Sequence, residues 1–233
     1  MQGARGESSN VSRLRSFVTS SIGRKIVMAI TGLLMIGFLI AHMAANLLVL
    51  FDAHAYNDYS EKLISNPLIY LAEAALVAFF AGHLVAGLAV WWKNRQARPE
   101  PYALKERAGH TSRKSLASTT MILSGLVMLA FVPLHIMTFK FGAWYEVTDD
   151  PQIRDLHRLV VEVFQKPVYV VWYLIALPIL GAHAWHGFGS AFESVGVRYR
   201  PWIHGSGRAL AVVLTLGFIA VPIYVYFFAG GGM

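Results

Sequence analysis

The sequence predicts an all-α integral membrane protein, an up-and-down bundle of five transmembrane helices forming one domain. Three observations lead there. Hydrophobic residues make up 56% of the 233 and charged residues only 14%, well below the roughly 25% charge of soluble domains. Five apolar stretches, residues 26–51, 68–92, 116–139, 167–192 and 209–229, each exceed the roughly 20 helical residues that cross a ~30 Å hydrocarbon layer. The connections between them are short, which makes successive helices antiparallel neighbours.

Residues 1–25 form a polar tail with Arg5, Arg13, Arg15, Arg24 and Lys25. They do not read as a signal peptide, because the apolar run that follows is long enough to span. The first loop carries Asp52, Asp58 and Glu61 against Lys62 alone. The second is basic, with Lys93, Arg95, Arg98, Lys105, Arg107, Arg113 and Lys114 against Glu100 and Glu106. The third carries Glu146, Asp149, Asp150, Asp155 and Glu162 against Arg154, Arg158 and Lys166, and the fourth adds Arg198, Arg200 and Arg208. Lysine and arginine collect on the cytoplasmic side, so the tail lies inside and the C-terminus outside. The net charge of +7 then reports loop placement in a lipid bilayer rather than nucleic-acid binding. Within the third loop, residues 152–163 repeat apolar side chains at helical spacing, with Asp150 as cap. They are expected to form an amphipathic helix lying along the outer surface. No separate soluble domain is visible, so residues 26–229 form a single membrane domain.

Four of the nine histidines, His42, His83, His135 and His183, sit inside four different spans. Ionisable side chains in lipid are expensive and mark functional sites. At 1.5 Å per residue, His42 lies roughly 24 Å and His135 roughly 28 Å from the inner ends of their helices. His83 and His183 each lie roughly 14 Å from theirs. The four therefore form an outer pair, His42 with His135, and an inner pair, His83 with His183. Two imidazoles facing across a bundle supply the axial ligands of a b-type haem, and two pairs supply two. The absence of cysteine excludes disulfides, thiolate iron–sulfur ligation and covalent haem attachment. Gly87 and Gly187, one turn beyond His83 and His183, leave room on the face each imidazole occupies. The competing explanation is a hydrogen-bonded buried histidine beside small residues that let helices pack closely. His186 rivals His183 but lies about 4–5 Å nearer the inner surface. His54, His110, His157 and His204 fall in loops or at helix ends.

The string Ser20-Ser21-Ile22-Gly23-Arg24-Lys25, followed by Thr31-Gly32-Leu33, His42-Met43 and Asn46-Leu47, resembles the cytochrome b subunit of succinate dehydrogenases and fumarate reductases. The resemblance is to the five-helix, dihaem b558-type branch and covers essentially the whole chain. His83 with Gly87, His135 after Pro133-Leu134, and His183 with Gly187 and Ser190 fall where that family places haem ligands. It implies that His42 and His135 hold a distal haem and His83 and His183 a proximal one. It implies a bacterial inner-membrane complex in which a flavoprotein (FAD) subunit oxidises succinate and an iron–sulfur subunit passes electrons to this chain, the membrane anchor. Menaquinone or another quinone would accept them near the distal haem. Some fumarate reductases of the family carry a glutamate two residues before the fourth-helix ligand. This chain has Gly181 there, which favours succinate oxidation over a quinol:fumarate reductase.

Within that frame Glu73, roughly 8 Å into the second helix from its outer end, is a candidate for proton exchange with a quinone. The alternative is a shallow glutamate bonded to a neighbouring helix. Asn46, His54, Tyr56, Asn57 and Glu61 form a second polar cluster that could hold quinone carbonyls or simply shape the loop. Arg24, Lys25, His110, Arg113, Lys114 and His186 are candidates for the inner haem propionates. A histidine-containing proton or ion transporter is the reading from another class. Such a protein would show broken helices around a midplane site.

Overall fold

The computed structural model describes residues 10, 12, 13, 16–97, 120–148 and 150–229. Five helices are long and apolar enough to cross a membrane, so the chain is an all-α membrane bundle. Helix α1 (Ser21–Asn46) starts where the Ser20 hydroxyl accepts the Gly23 N–H, and it tightens into a 3-10 turn over Leu47–Leu50. Asp52 then caps a short helix α2 (Ala53–Ile64) by accepting from the N–H groups of His54 and Ala55, which the ladder would otherwise leave unpaired. Asn66-Pro67 leads into α3 (Leu68–Gln96). Helix α4 spans Met121–Phe139. A two-stranded antiparallel ribbon, β1 (Glu146–Val147) with β2 (Asp150–Arg154), leads to α5 (Leu156–Phe164). Helices α6 (Pro167–Ser194) and α7 (Pro201–Tyr224) both begin on proline, whose missing N–H costs nothing in a first turn. The reversal between them uses Gly196 at φ +95°, a conformation that β-carbons disfavour.

Contacts at the helix ends establish alternating direction. Lys93 near the end of α3 donates to Ser21 at the start of α1. Glu73 near the start of α3 pairs with Lys140 just past α4. Gln165 before α6 donates to the Val225 carbonyl beyond α7. One end of the bundle is thus basic, with Arg24, Lys25, Lys93 and Arg95. The other is closed by α2, the ribbon and α5. Helices α6 and α7 form the centre, with α1 against both, α3 against α1, and α4 against α6. Close approach rests on small residues, as in other membrane bundles. A β-carbon at Gly181 would lie 2.0 Å from the Thr215 hydroxyl, and one at Gly207 would lie 2.8 Å from the Phe188 ring.

Some boundaries differ from the sequence expectation. The fifth span begins at Pro201 rather than 209, because Trp202 and Ile203 already lie on the helix. The third is described from Met121, and residues 116–119 lie outside the described residues. The larger correction concerns residues 152–163. Residues up to Arg154 are extended, because Glu146 and Val147 pair with them. Asp155, not Asp150, caps the helix by accepting the Arg158 N–H. That helix does not lie along the surface: Leu159, Val160, Val161, Val163 and Phe164 are buried beneath the ends of α4, α6 and α7. It is a plug, and the main apolar core sits around it.

Polar clamps hold the plug. Asn57 of α2 is buried; its amide nitrogen donates to Asp155 and its oxygen accepts the His157 N–H, both at 2.9 Å. Arg154 donates to the carbonyls of Lys140, Gly142 and Ala143 that follow α4, closing unpaired groups at a helix end. On the outside, Tyr145 donates to one oxygen of Glu162 and Arg158 to the other.

Replacing Asn57 by Ala leaves the His157 N–H without its acceptor and removes one of the two donors to Asp155 Oδ1, so it should cost about 1–3 kcal/mol. Hydrogen exchange in detergent should show α5 losing protection before the spans do. Glu162 gives a pH dependence. The Tyr145 hydroxyl and the Arg158 guanidinium hold its carboxyl below the usual range. The stabilisation is therefore full above the unfolded value of about 4.3 and is lost as pH falls through the folded value. Acid should loosen the plug in the native chain, and Glu162→Gln should abolish that step in a pH series of α5 exchange.

Candidate functional site: two tiers of paired histidines

The structure brings the four intramembrane histidines together in the two pairs that helix rise expects. The rings of His42 and His135 have centroids 5.8 Å apart, and those of His83 and His183 are 6.2 Å apart. Both pairs are crossed edge to face rather than stacked, with interplanar angles of 88° and 62°. The tiers are well separated. The His83 ring meets Met28 and Thr31 of α1, while His42 stands 11 to 14 residues further along. That separation is roughly 16–21 Å. On α4 the same step runs from Ser124, which meets His183, to His135. On α6 it runs from Tyr173, which meets His135, to His183.

The ring nitrogens are held in a specific way. His83 Nδ1 lies 3.0 Å from the Met28 carbonyl; a carbonyl only accepts, so Nδ1 carries the proton. Thr31, 3.4 Å from the same nitrogen, already donates to the Val27 carbonyl. His183 Nδ1 lies 2.9 Å from the Ser124 hydroxyl, which donates to the Met121 carbonyl. The hydroxyl therefore accepts from Nδ1–H. In both inner rings Nε2 is left as the bare, electron-pair nitrogen. His135 Nδ1 lies 2.7 Å from the Tyr173 hydroxyl, where either group can donate. His42 is held least. The Asn46 amide nitrogen sits 3.4 and 3.5 Å from its two ring nitrogens and donates at 2.8 Å to its backbone carbonyl.

The separations, 5.8 and 6.2 Å, lie within the ordinary range of edge-to-face ring contacts. Two imidazoles bound to one metal through one nitrogen each would have centroids about 6.2 Å apart, for a metal–nitrogen bond of about 2.0 Å and about 1.1 Å from nitrogen to ring centre. Among the described residues no group of three or more histidine, cysteine or carboxylate side chains that could hold a metal ion is found. Glycines flank the inner rings: a β-carbon at Gly32 would lie 3.1 Å from His83 Cε1, and one at Gly125 would lie 3.9 Å from His183 Cε1. Gly187 faces open space, whereas the space beside Gly87 holds the Met28 sulfur. The outer pair is walled by aromatics. Phe38 stacks on His42, while Phe131 and Phe139 flank His135 and Phe164 of the plug covers Tyr173.

The remaining sequence candidates divide. His186 does not join His83; its Nε2 lies 3.2 Å from Ser190 one turn on. Glu73 is not in an apolar setting, since it is ion-paired with Lys140 at the rim and partly exposed. Asn57 is bonded to the plug at both ends of its amide, donating to Asp155 and accepting the His157 N–H. Asn46 accepts from the buried Tyr56 hydroxyl at 3.3 Å, linking His42 to the plug. Burial raises the Tyr56 hydroxyl above its usual range, with Arg154 opposing. His54 is exposed and Glu61 half-exposed on α2. Arg24 is half-buried and Lys25 exposed. His110, Arg113 and Lys114 lie outside the described residues. Sequence reading missed Ser124, Tyr173 and Arg154. The first two were reachable, because the depth count that pairs the histidines also places Ser124 level with His183 and Tyr173 level with His135.

In the metal-free chain, nitrogen-15 NMR of labelled histidine should show His83 and His183 with Nδ1 protonated and Nε2 bare. Ser124→Ala should turn His183 into a tautomer mixture and leave His83 unchanged. A His183 signal insensitive to the substitution would remove Ser124 from the site. No family model matches the chain, and no curated protein and no solved structure matches it significantly.

Proposed function

We propose that the chain is the dihaem cytochrome b anchor of a succinate:quinone oxidoreductase. The observation that carries this reading is the pairing of the four histidines in two tiers, with ring centroids 5.8 and 6.2 Å apart, close to the roughly 6.2 Å that two imidazoles on one iron would need. His83 and His183 hold the inner haem b and His42 and His135 the outer one. Haem supplies a one-electron carrier in each tier. The chain's residues fix ring orientation, leave Nε2 of His83 and His183 free through hydrogen bonds at Nδ1, and exclude water. At the outer tier the plug, with Phe139, Phe164 and Tyr173, does the excluding.

The lysine and arginine bias puts the basic end in the cytoplasm of a bacterial inner membrane, facing the iron–sulfur and flavoprotein (FAD) subunits. The quinone, menaquinone on the family resemblance, takes electrons at the plug end. Glu73 with Lys140 is the ionisable pair nearest that rim, and Asn46 with Tyr56 is the polar link to His42. Succinate oxidation is preferred to the quinol:fumarate direction because α6 carries no carboxylate near His183. Gly181 is packed so closely on Thr215 that a glutamate there would push α7 away. A transporter reading leaves the two histidine pairs without a role.

An optical spectrum of the purified chain tests the proposal. Two low-spin bis-histidine components are expected, and a colourless preparation overturns it. Alanine at His83 or His183 should remove one component and alanine at His42 or His135 the other, each by more than about 90%, while His186→Ala keeps both.

A further inference from the structure

At the basic end, away from both histidine tiers, the start of α1 and the last turns of α3 enclose an open groove of about 670 Å³. One end of the groove is polar and cationic, with Thr19, Arg24, Lys93 and Gln96. Lys93 reaches across to Ser21 on the other helix, so the cation is held at the groove rather than extended into solvent. No carboxylate lines it among the described residues. The other end is apolar. Leu88, Ala89 and the two tryptophans Trp91 and Trp92 line it. It continues along α3 as Trp92, Leu88 and Val85, which are 58%, 39% and 66% exposed. Those positions are spaced by four and three residues, so they form one stripe on one helix face.

The order of the lining matters. Passing from the helix end toward the middle of the span, the groove changes from cations to tryptophan to exposed aliphatic surface. Tryptophan and basic residues of this kind collect at the headgroup level of a membrane. A soluble anion would need only the cations, and an acidic peptide would have no use for an apolar stripe running into the hydrocarbon. A molecule with a phosphate head and acyl tails matches the whole sequence of surfaces, and basic pockets beside transmembrane helices bind such heads.

We propose that this groove is a binding site for one anionic phospholipid, with Arg24 and Lys93 on the headgroup phosphate and an acyl chain laid along Trp92, Leu88 and Val85. The lipid reading does not rest on the haem reading: of the groove's residues only Arg24 is among the propionate candidates, and Lys93, Trp92 and Leu88 are not.

The test uses the full chain, purified and delipidated in a neutral detergent, with native mass spectrometry as readout. Phosphatidylglycerol should be retained as one copy, and phosphatidylcholine should be lost at the same collision energy. The double variant Arg24→Gln/Lys93→Gln should weaken phosphatidylglycerol retention by about tenfold. The control Arg198→Gln/Arg200→Gln, equal in charge change, should not. Circular dichroism confirms that both fold. Leu88→Ser should weaken phosphatidylglycerol but leave any inorganic phosphate binding unchanged, and millimolar phosphate should not compete with the lipid. Equal retention of both lipids, equal loss in both double variants, or displacement by phosphate alone overturns the proposal. Loss of colour without loss of lipid would count against the haems and leave this site standing.

Discussion

An imidazole inside a membrane has two nitrogens and almost nothing to satisfy them, and the architecture of this chain follows from how that need is met. Lipid offers no hydrogen bonds, and leaving a polar group bare costs several kcal/mol. In the inner tier Nδ1 is satisfied by a neighbouring helix: the Met28 carbonyl for His83 and the Ser124 hydroxyl for His183. Those contacts require α1 beside α3 and α4 beside α6 at one depth, which is the packing observed. The His83 and His183 rings then stand edge to face, with centroids 6.2 Å apart. One requirement thus sets helix adjacency, depth and the free nitrogen together.

The outer tier is built differently. Its rings are surrounded by Phe38, Phe131 and Phe139, and Tyr173 provides the one firm polar contact. Such a pocket stays dry only if the end of the bundle is closed. The plug does this with five buried apolar side chains from α5, held by Asn57 and Arg154. Arg154 is the costly member, since the residue is only 9% exposed and its Nε has no hydrogen-bond partner among the described residues. Desolvation lowers its basicity, yet a guanidinium keeps its charge under such pressure. What it gains is three backbone carbonyls beyond α4 that lack partners of their own. A lysine could not reach three acceptors from one rigid head.

The sequence showed the spans and the histidine depths clearly, because hydropathy and a 1.5 Å rise are local properties. It misjudged residues 152–163 for a physical reason. An amphipathic period says that one face is apolar but not what that face meets; the bundle end and a lipid surface look alike to it. Asp150 and Asp155 are both competent caps, and the choice between them was made by Glu146 and Val147, which drew residues 150–154 into a ribbon. Glu73 looked isolated because its counter-ion, Lys140, is 67 residues away in sequence.

The sequence by itself determined a multi-span, cysteine-free chain with four histidines at two depths, since composition, length and periodicity do not depend on tertiary contacts. Only the tertiary structure decided that the rings at each depth meet edge to face, that Ser124 and Met28 leave Nε2 as the free nitrogen, and that α5 closes the bundle. Those outcomes depend on the rotation of each helix about its axis and on partners dozens of residues apart. Neither can be obtained from counting along a chain.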